Sequence, residues 1–335
     1  MPEQPRLPIS LFILIFLTAC APLIPAISTS AFTPTPLPSL TLFSSQTLSP
    51  TLQPSITSTG TDLMDPGETL EPPTTLPTMT STTPTVTPLP DALSLDPLDW
   101  EHWPIIPIVP QRAREIYLLG QSLGNDPHAF SILGDCQSEP DFFMGVYETD
   151  PGTLALLPQD LQQTVAWFNG SFNRLSPTVR SGTTTAALLW PVWHENKYTC
   201  TIYESPLQCE LRIHKPSFAI IHVGTHYESR NQTYMRSILD QLFAAGVVPI
   251  LASKADNREL DDHVNSDDAQ LAVEYNIPFW NFWAAVDGLP NRGLYTKPGE
   301  AFLGDIYLTD QAAAIHRLSA LQALDTVWRA VAGSN

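Results

Sequence analysis

Four short apolar runs constrain this chain more than any other feature. They cover residues 130–133, 218–223, 247–251 and 277–280, and none alternates between apolar and polar. A strand with one wet face alternates, whereas a strand covered on both faces does not. Between the runs lie stretches with helical spacing. Leu161, Val165 and Phe168 recur at four and three within 158–168. Tyr234, Met235, Ile238, Leu242 and Phe243 share one face of 231–245, and Gly246 supplies the stop. Residues 262–275 and 310–331 read the same way. Strands alternating with helices of this length predict βαβ units. The expected fold class is therefore α/β: flavodoxin-like, three layers, with a parallel sheet. Such sheets bind ligands at the carboxyl ends of their strands. Function is to be sought in the loops opening at Gly134, Gly224, Ala252 and Asn281.

The first hundred residues carry none of this pattern. An apolar stretch from Leu11 to Leu17 follows Arg6 and closes on Leu17-Thr18-Ala19-Cys20. Its apolar character ends well short of the roughly 20 residues a membrane span needs, and Pro22 and Pro25 follow. Residues 1–20 are expected to be a lipoprotein signal peptide, with Cys20 lipidated and the mature chain held outside the cytoplasm on a membrane. Between Pro22 and Pro97 fall fifteen of the 33 prolines, and no Lys or Arg occurs between Arg6 and Arg112. Such a Pro/Thr/Ser-rich segment cannot bury enough apolar surface to offset its ordering entropy, so 21–97 reads as a disordered linker. One domain, 98–335, remains, and it holds all eight tryptophans. It carries 15 basic and 27 acidic residues, for a net charge of −12. That disfavours nucleic acid and other polyanions, and no nucleic-acid partner is expected. A monomer without cofactor is expected.

Of the four cysteines, Cys20 is assigned to lipid. Cys200 and Cys209 flank a short polar loop, and an exported location permits a disulfide between them. A metal reading fails because no Cys or His pair stands nearby at ligand spacing. Cys136 is left over, either buried and inert or a functional thiol.

The strand-end loops carry a set of motifs. Gly134-Asp135-Cys136 follows the first run, Asn169-Gly170-Ser171 follows the first long helix, and His222-Val223-Gly224-Thr225-His226 follows the second run. Residues 248–251 and Asn281-Phe282-Trp283 precede a final block around Asp305. In this order the chain from Arg112 to Ala332 resembles an SGNH (GDSL-type) hydrolase domain, of the exported kind with Gly-Asp-Cys in place of Gly-Asp-Ser. The resemblance implies hydrolysis of ester or acetyl groups, those of a polysaccharide among them. It casts Cys136 as nucleophile, with Gly170, Gly224 and Thr225 around the oxyanion and substrate, and His226 and Asp305 completing the catalytic set.

The chain departs from that pattern at the positions that carry the chemistry. Cys136 replaces serine, and Ser138 falls two residues on, at the wrong side of the turn. His226 stands where the family has asparagine. In Gly304-Asp305-Ile306-Tyr307-Leu308-Thr309, Tyr307 takes the place of the catalytic histidine and Gly304 that of the aspartate. The spacing of His316 fits no version of the block. Two functions follow from these residues. The first is a lipid-anchored hydrolase with a rewired Cys136–His226 dyad. The second is a surface protein of the same fold that binds a glycan or peptide without catalysis.

Overall fold

The computed structural model describes residues 88–333 except 196 and 228. The lipobox, Cys20 and most of the linker lie outside the described residues. Among those described, no helix is long and apolar enough to cross a membrane. The elements run α1 (Gln111–Leu123), β1 (Asp126–Gly134), α2 (Val146–Thr149), α3 (Pro151–Ala155), α4 (Gln159–Trp167), α5 (Thr185–Leu189), α6 (Pro206–His214) and β2 (Pro216–His222). They continue through α7 (Asn231–Ala244), β3 (Val248–Ala252), α8 (His263–Tyr275), β4 (Phe279–Trp280), α9 (Phe282–Val286), β5 (Leu294–Tyr295), β6 (Tyr307–Leu308) and α10 (Asp310–Ala332).

The four apolar runs become β1 to β4, all parallel and in spatial order β1-β2-β3-β4. Every residue of β2 and β3 is buried, which is why those runs show no alternation. Val179 adds a single parallel bridge to Gly134 on the free side of β1. Counting it as a rudimentary strand gives the order 2-1-3-4-5, the flavodoxin-like arrangement. Helices α1, α4 and α10 pack together, and α5, α6, α7 and α8 pack together, so the sheet is flanked by two helical layers. β5 and β6 form a separate antiparallel pair beyond β4.

Two helices absent from the sequence reading complete the layers. In α1 the buried residues are Ala113, Ile116, Tyr117 and Gly120, and Gly124 closes the helix in the left-handed conformation. In α6 a capping box between Ser205 and Gln208, with Pro206 in the first turn, starts the helix inside the segment read as a loop. Cys209 lies in that helix and is bonded to Cys200. Residues placed with the linker also touch the domain. Pro90 accepts from Gln111, Leu93 donates to the Asn276 side chain at 2.8 Å, and Asp96 caps the turn at Pro97–His102.

One contact tests how closely the layers meet. A β-carbon on Gly120 would lie 2.1 Å from the Gly246 carbonyl oxygen and 2.8 Å from Asn125 Nδ2. Replacing a mid-helix glycine by alanine ordinarily stabilises by about 0.5–1 kcal/mol. Here Gly120→Ala is expected to destabilise by about 1–3 kcal/mol, because backbone must shift to admit one methyl group. The urea midpoint of the variant measures the sign.

Candidate active site

β1 and β2 are paired so that Gly134 stands opposite His222. The loops that follow them therefore leave the sheet side by side. Gly134 is required at this point, since a β-carbon there would lie 2.2 Å from the Ser138 side chain and 3.2 Å from His222 O. Asp135 accepts from Gln137 N at 3.1 Å and so shapes the turn at Cys136–Ser138. Gln137 Nε2 donates to Ile306 O at 2.6 Å, which brings the 304–309 segment against the same turn. The residues from three distant blocks thus share one place on the molecule, as the sequence reading required.

Within that place the expected residues divide. Cys136 sits at the end of β1, is buried and takes no part in the disulfide. Gly224 has φ +143°, and a β-carbon there would lie 2.8 Å from Val264 and 3.0 Å from the Lys254 side chain. Thr225 is 1% exposed and donates to Asp256 Oδ2 at 2.8 Å, so its hydroxyl holds the loop down.

His226 is half-buried, and its Nδ1 lies 3.4 Å from Arg258 Nη1, while Arg258 also donates to Thr225 O at 3.2 Å. A guanidinium only donates, so the nitrogen facing it is the bare one and the proton sits on Nε2. Nε2 is buried with no hydrogen-bond partner among the described residues. Burial first, then Arg258, lowers the pKa of His226, with Asp256 opposing. A general base in a catalytic triad has a carboxylate behind it to stabilise the imidazolium. His226 has a cation there. That cation disfavours the protonated ring.

Gly170 stands elsewhere, and the Asp305 side chain is engaged away from any histidine. The segment after α4 runs alongside β1 in the same direction: Trp167 Nε1 donates to Pro127 O, Ser171 Oγ accepts from Phe130 N, and Thr178 Oγ1 donates to Ile132 O. It reaches the carboxyl end only where Arg180 N donates to Gly134 O. Gly170 therefore lies near the middle of the strand, about four residues or ~13 Å short of the end. Its amide donates to Glu148 Oε1, and the amides of Phe172 and Asn173 donate to the same carboxylate. That nest is filled by the protein's own anion. The glycine the structure brings to the strand ends is Gly182, with φ +81°. Asp305 is exposed and accepts from Asn291 and Thr296, the latter just beyond β5. It orients no histidine. Tyr307, at the histidine position, donates to Glu300 and has Lys297 Nζ 5.4 Å from its ring centre.

Two polar clusters lie behind the loops. In the first, His222 Nδ1 lies 3.3 Å from both Ser138 Oγ and His316 Nε2. Ser138 and His316 are 0% exposed and His222 is 2% exposed, so no substrate reaches them. Phe143 and Phe282 both lie 4.4 Å from the His316 ring, and Trp280 stacks on it. Burial pulls His222 down to about 4, and burial with the neighbouring His222 and Arg317 holds His316 well below its ordinary value. In the second, the 1% exposed Lys254 donates from Nζ to Asp256 O at 2.7 Å, Asp256 Oδ1 at 3.0 Å and Glu259 Oε2 at 2.5 Å. Asn265 accepts from the Lys254 amide and donates to its carbonyl. The signal for the first cluster lies in the fold, because His222 and His316 are 94 residues apart. Asn231, which opens a glycosylation sequon, is buried and accepts from Thr185. Among the described residues no group of three or more His, Cys, Asp or Glu is placed to hold a metal ion.

No family model and no curated protein matches the chain. Among solved structures it is similar to a GDSL-like lipase from Bacteroides thetaiotaomicron VPI-5482, with 16% identity and a TM-score of 0.40. The match covers 64% of this chain and 97% of that one.

Both clusters yield measurable consequences. The two buried histidines are neutral in the fold and titrate normally when unfolded. Stability they support is full above about pH 6.5 and is lost as pH falls toward their folded values, at about 1.4 kcal/mol per pH unit each. Between pH 6.5 and 5 each is expected to cost about 2 kcal/mol. His214, lowered to about 4, adds to this, and the raised pKa of Asp268 opposes it. Those two titrate in wild type and in His316→Phe alike. The difference in acid loss between the two proteins, read from urea midpoints at each pH, reports His316 together with its coupling to His222. Lys254→Met leaves Asp256 and Glu259 buried without their cation, and is expected to cost about 3–5 kcal/mol by the same measurement.

Proposed function

We propose that this chain is an extracytoplasmic protein, tethered through lipid on Cys20, whose hydrolase-like domain binds an acyl- or acetyl-bearing ligand without hydrolysing it. The observation that carries the reading is Arg258 beside His226 Nδ1. It leaves the proton on Nε2, which is buried without a partner among the described residues. It also disfavours the imidazolium that a general base must become. The histidine position of the final block holds Tyr307, whose hydroxyl is already given to Glu300. Without a base, an unactivated nucleophile loses on the order of 10³-fold or more. The lipid tether rests on the Leu17-Thr18-Ala19-Cys20 sequence alone.

A second reading, hydrolysis by Cys136, is favoured by one observation: the thiol opens the turn at the carboxyl end of β1, where the resemblance puts the nucleophile. Turnover of p-nitrophenyl acetate by wild type and Cys136→Ala separates the two. Rates at the buffer level in both proteins are the expected result. Turnover that is present in wild type and abolished by Cys136→Ala would establish the second reading.

A further inference from the structure

We infer that a groove beside the candidate site, between α5 and α7, takes a ring of a neutral saccharide. The inference rests on the reading that the domain binds its ligand, and it names the ligand's class and place. Gly182, Leu189, Trp190, Trp193 and Tyr234 are among the residues lining a groove of about 500 Å³. That size lies within the range of small-ligand sites. Trp190 is 59% exposed, although a large aromatic ring left in water is unfavourable unless something covers it. Trp193 is fixed for the purpose of forming a wall. Its Nε1 donates to Thr183 Oγ1 at 3.2 Å, and the Arg180 guanidinium lies 4.8 Å from its ring centre.

The chemistry of the lining selects the occupant. None of the lining residues carries a charge, and the whole chain has a formal net charge of −18. Anionic polymers are therefore disfavoured. What remains on offer is aromatic faces with hydroxyls at their margin, from Tyr234 and Thr184. Aromatic side chains of this kind present an apolar body and a polar tip. A pyranose ring has the matching pattern, with C–H groups on its faces and hydroxyls around its edge. The groove also adjoins the strand ends. Gly182 lines it, Ser181 N donates to Glu139, and Arg180 N donates to Gly134 O.

The test is titration of the full-length protein with hexasaccharides of β-1,4-linked glucose, N-acetylglucosamine and xylose, followed by calorimetry and tryptophan fluorescence. At least one is expected to bind, with Trp190→Ala and Tyr234→Ala each weakening it about tenfold or more. Circular dichroism should not change for Trp190→Ala, since that side chain is mostly in solvent. Binding by none of the three, or binding that neither substitution affects, would overturn the inference. Preferential binding of a proline-rich peptide or of phosphatidylcholine vesicles by Trp190 would overturn it equally. Failure of the preceding reading looks different: Cys136-dependent turnover of an acetylated hexasaccharide, with Trp190-dependent affinity, ends the non-catalytic function and leaves the groove standing.

Discussion

The pairing of β1 with β2 sets the place of everything else near the candidate site. Parallel strands in adjacent positions deliver their loops to the same edge of the sheet, and the register decides how nearly they meet. With Gly134 opposite His222, the turn at Cys136–Ser138 and the loop through Gly224 and Thr225 begin at one level. The absence of a side chain at Gly134 lets Ser138 fold back beneath the turn and reach His222. A shift of one residue would turn every side chain of β2 to the other face and separate these groups.

Behind the loops the protein accepts polar burial that a plain apolar core would avoid. Lys254 pairs with Asp256 and with one oxygen of Glu259 at the end of β3, and it packs its stem against Gly224. His222 and His316 share a compartment walled by aromatic rings. Buried ionic groups of this type are weak contributors to net stability but strong determinants of geometry, because every alternative arrangement leaves a charge or donor unmatched. Here they fix the backbone of three strand-end loops.

The parallel sheet was legible because strands covered on both faces have no choice but to be apolar along their length. The long helices α7, α8 and α10 were legible for the related reason that only one stripe of each is covered. Helix α1 carries an equally plain spacing at Ala113, Ile116, Tyr117 and Gly120, and α6 carries the Ser205-Pro206…Gln208 start, so both could have been found. The site was less legible. Sequence order places Gly170 after a helix, but not at which end of β1 the following segment has arrived. That depends on Ser171, Thr178 and Arg180 bonding along the strand. His316 is invisible to motif spacing because a long helix carries it back across the sheet. The sign of the field on His226 depends on Arg258, which lies 32 residues away.

The disulfide reaches further than its small ring suggests. Cys209 belongs to α6, and Cys200 belongs to the excursion that also contains Trp190 and Trp193. His194 meets the Thr201 carbonyl at 3.1 Å, and Arg212 reaches back to Thr199 O and to Glu204. The bond thus fastens the outer rim of the aromatic surface to a rigid helix. A polypeptide kept in a thiol-reducing compartment would have its sheet and strand-end loops complete but that rim untethered. Oxidation thus sets the aromatic wall, and the redox chemistry of the surroundings decides whether it is tethered.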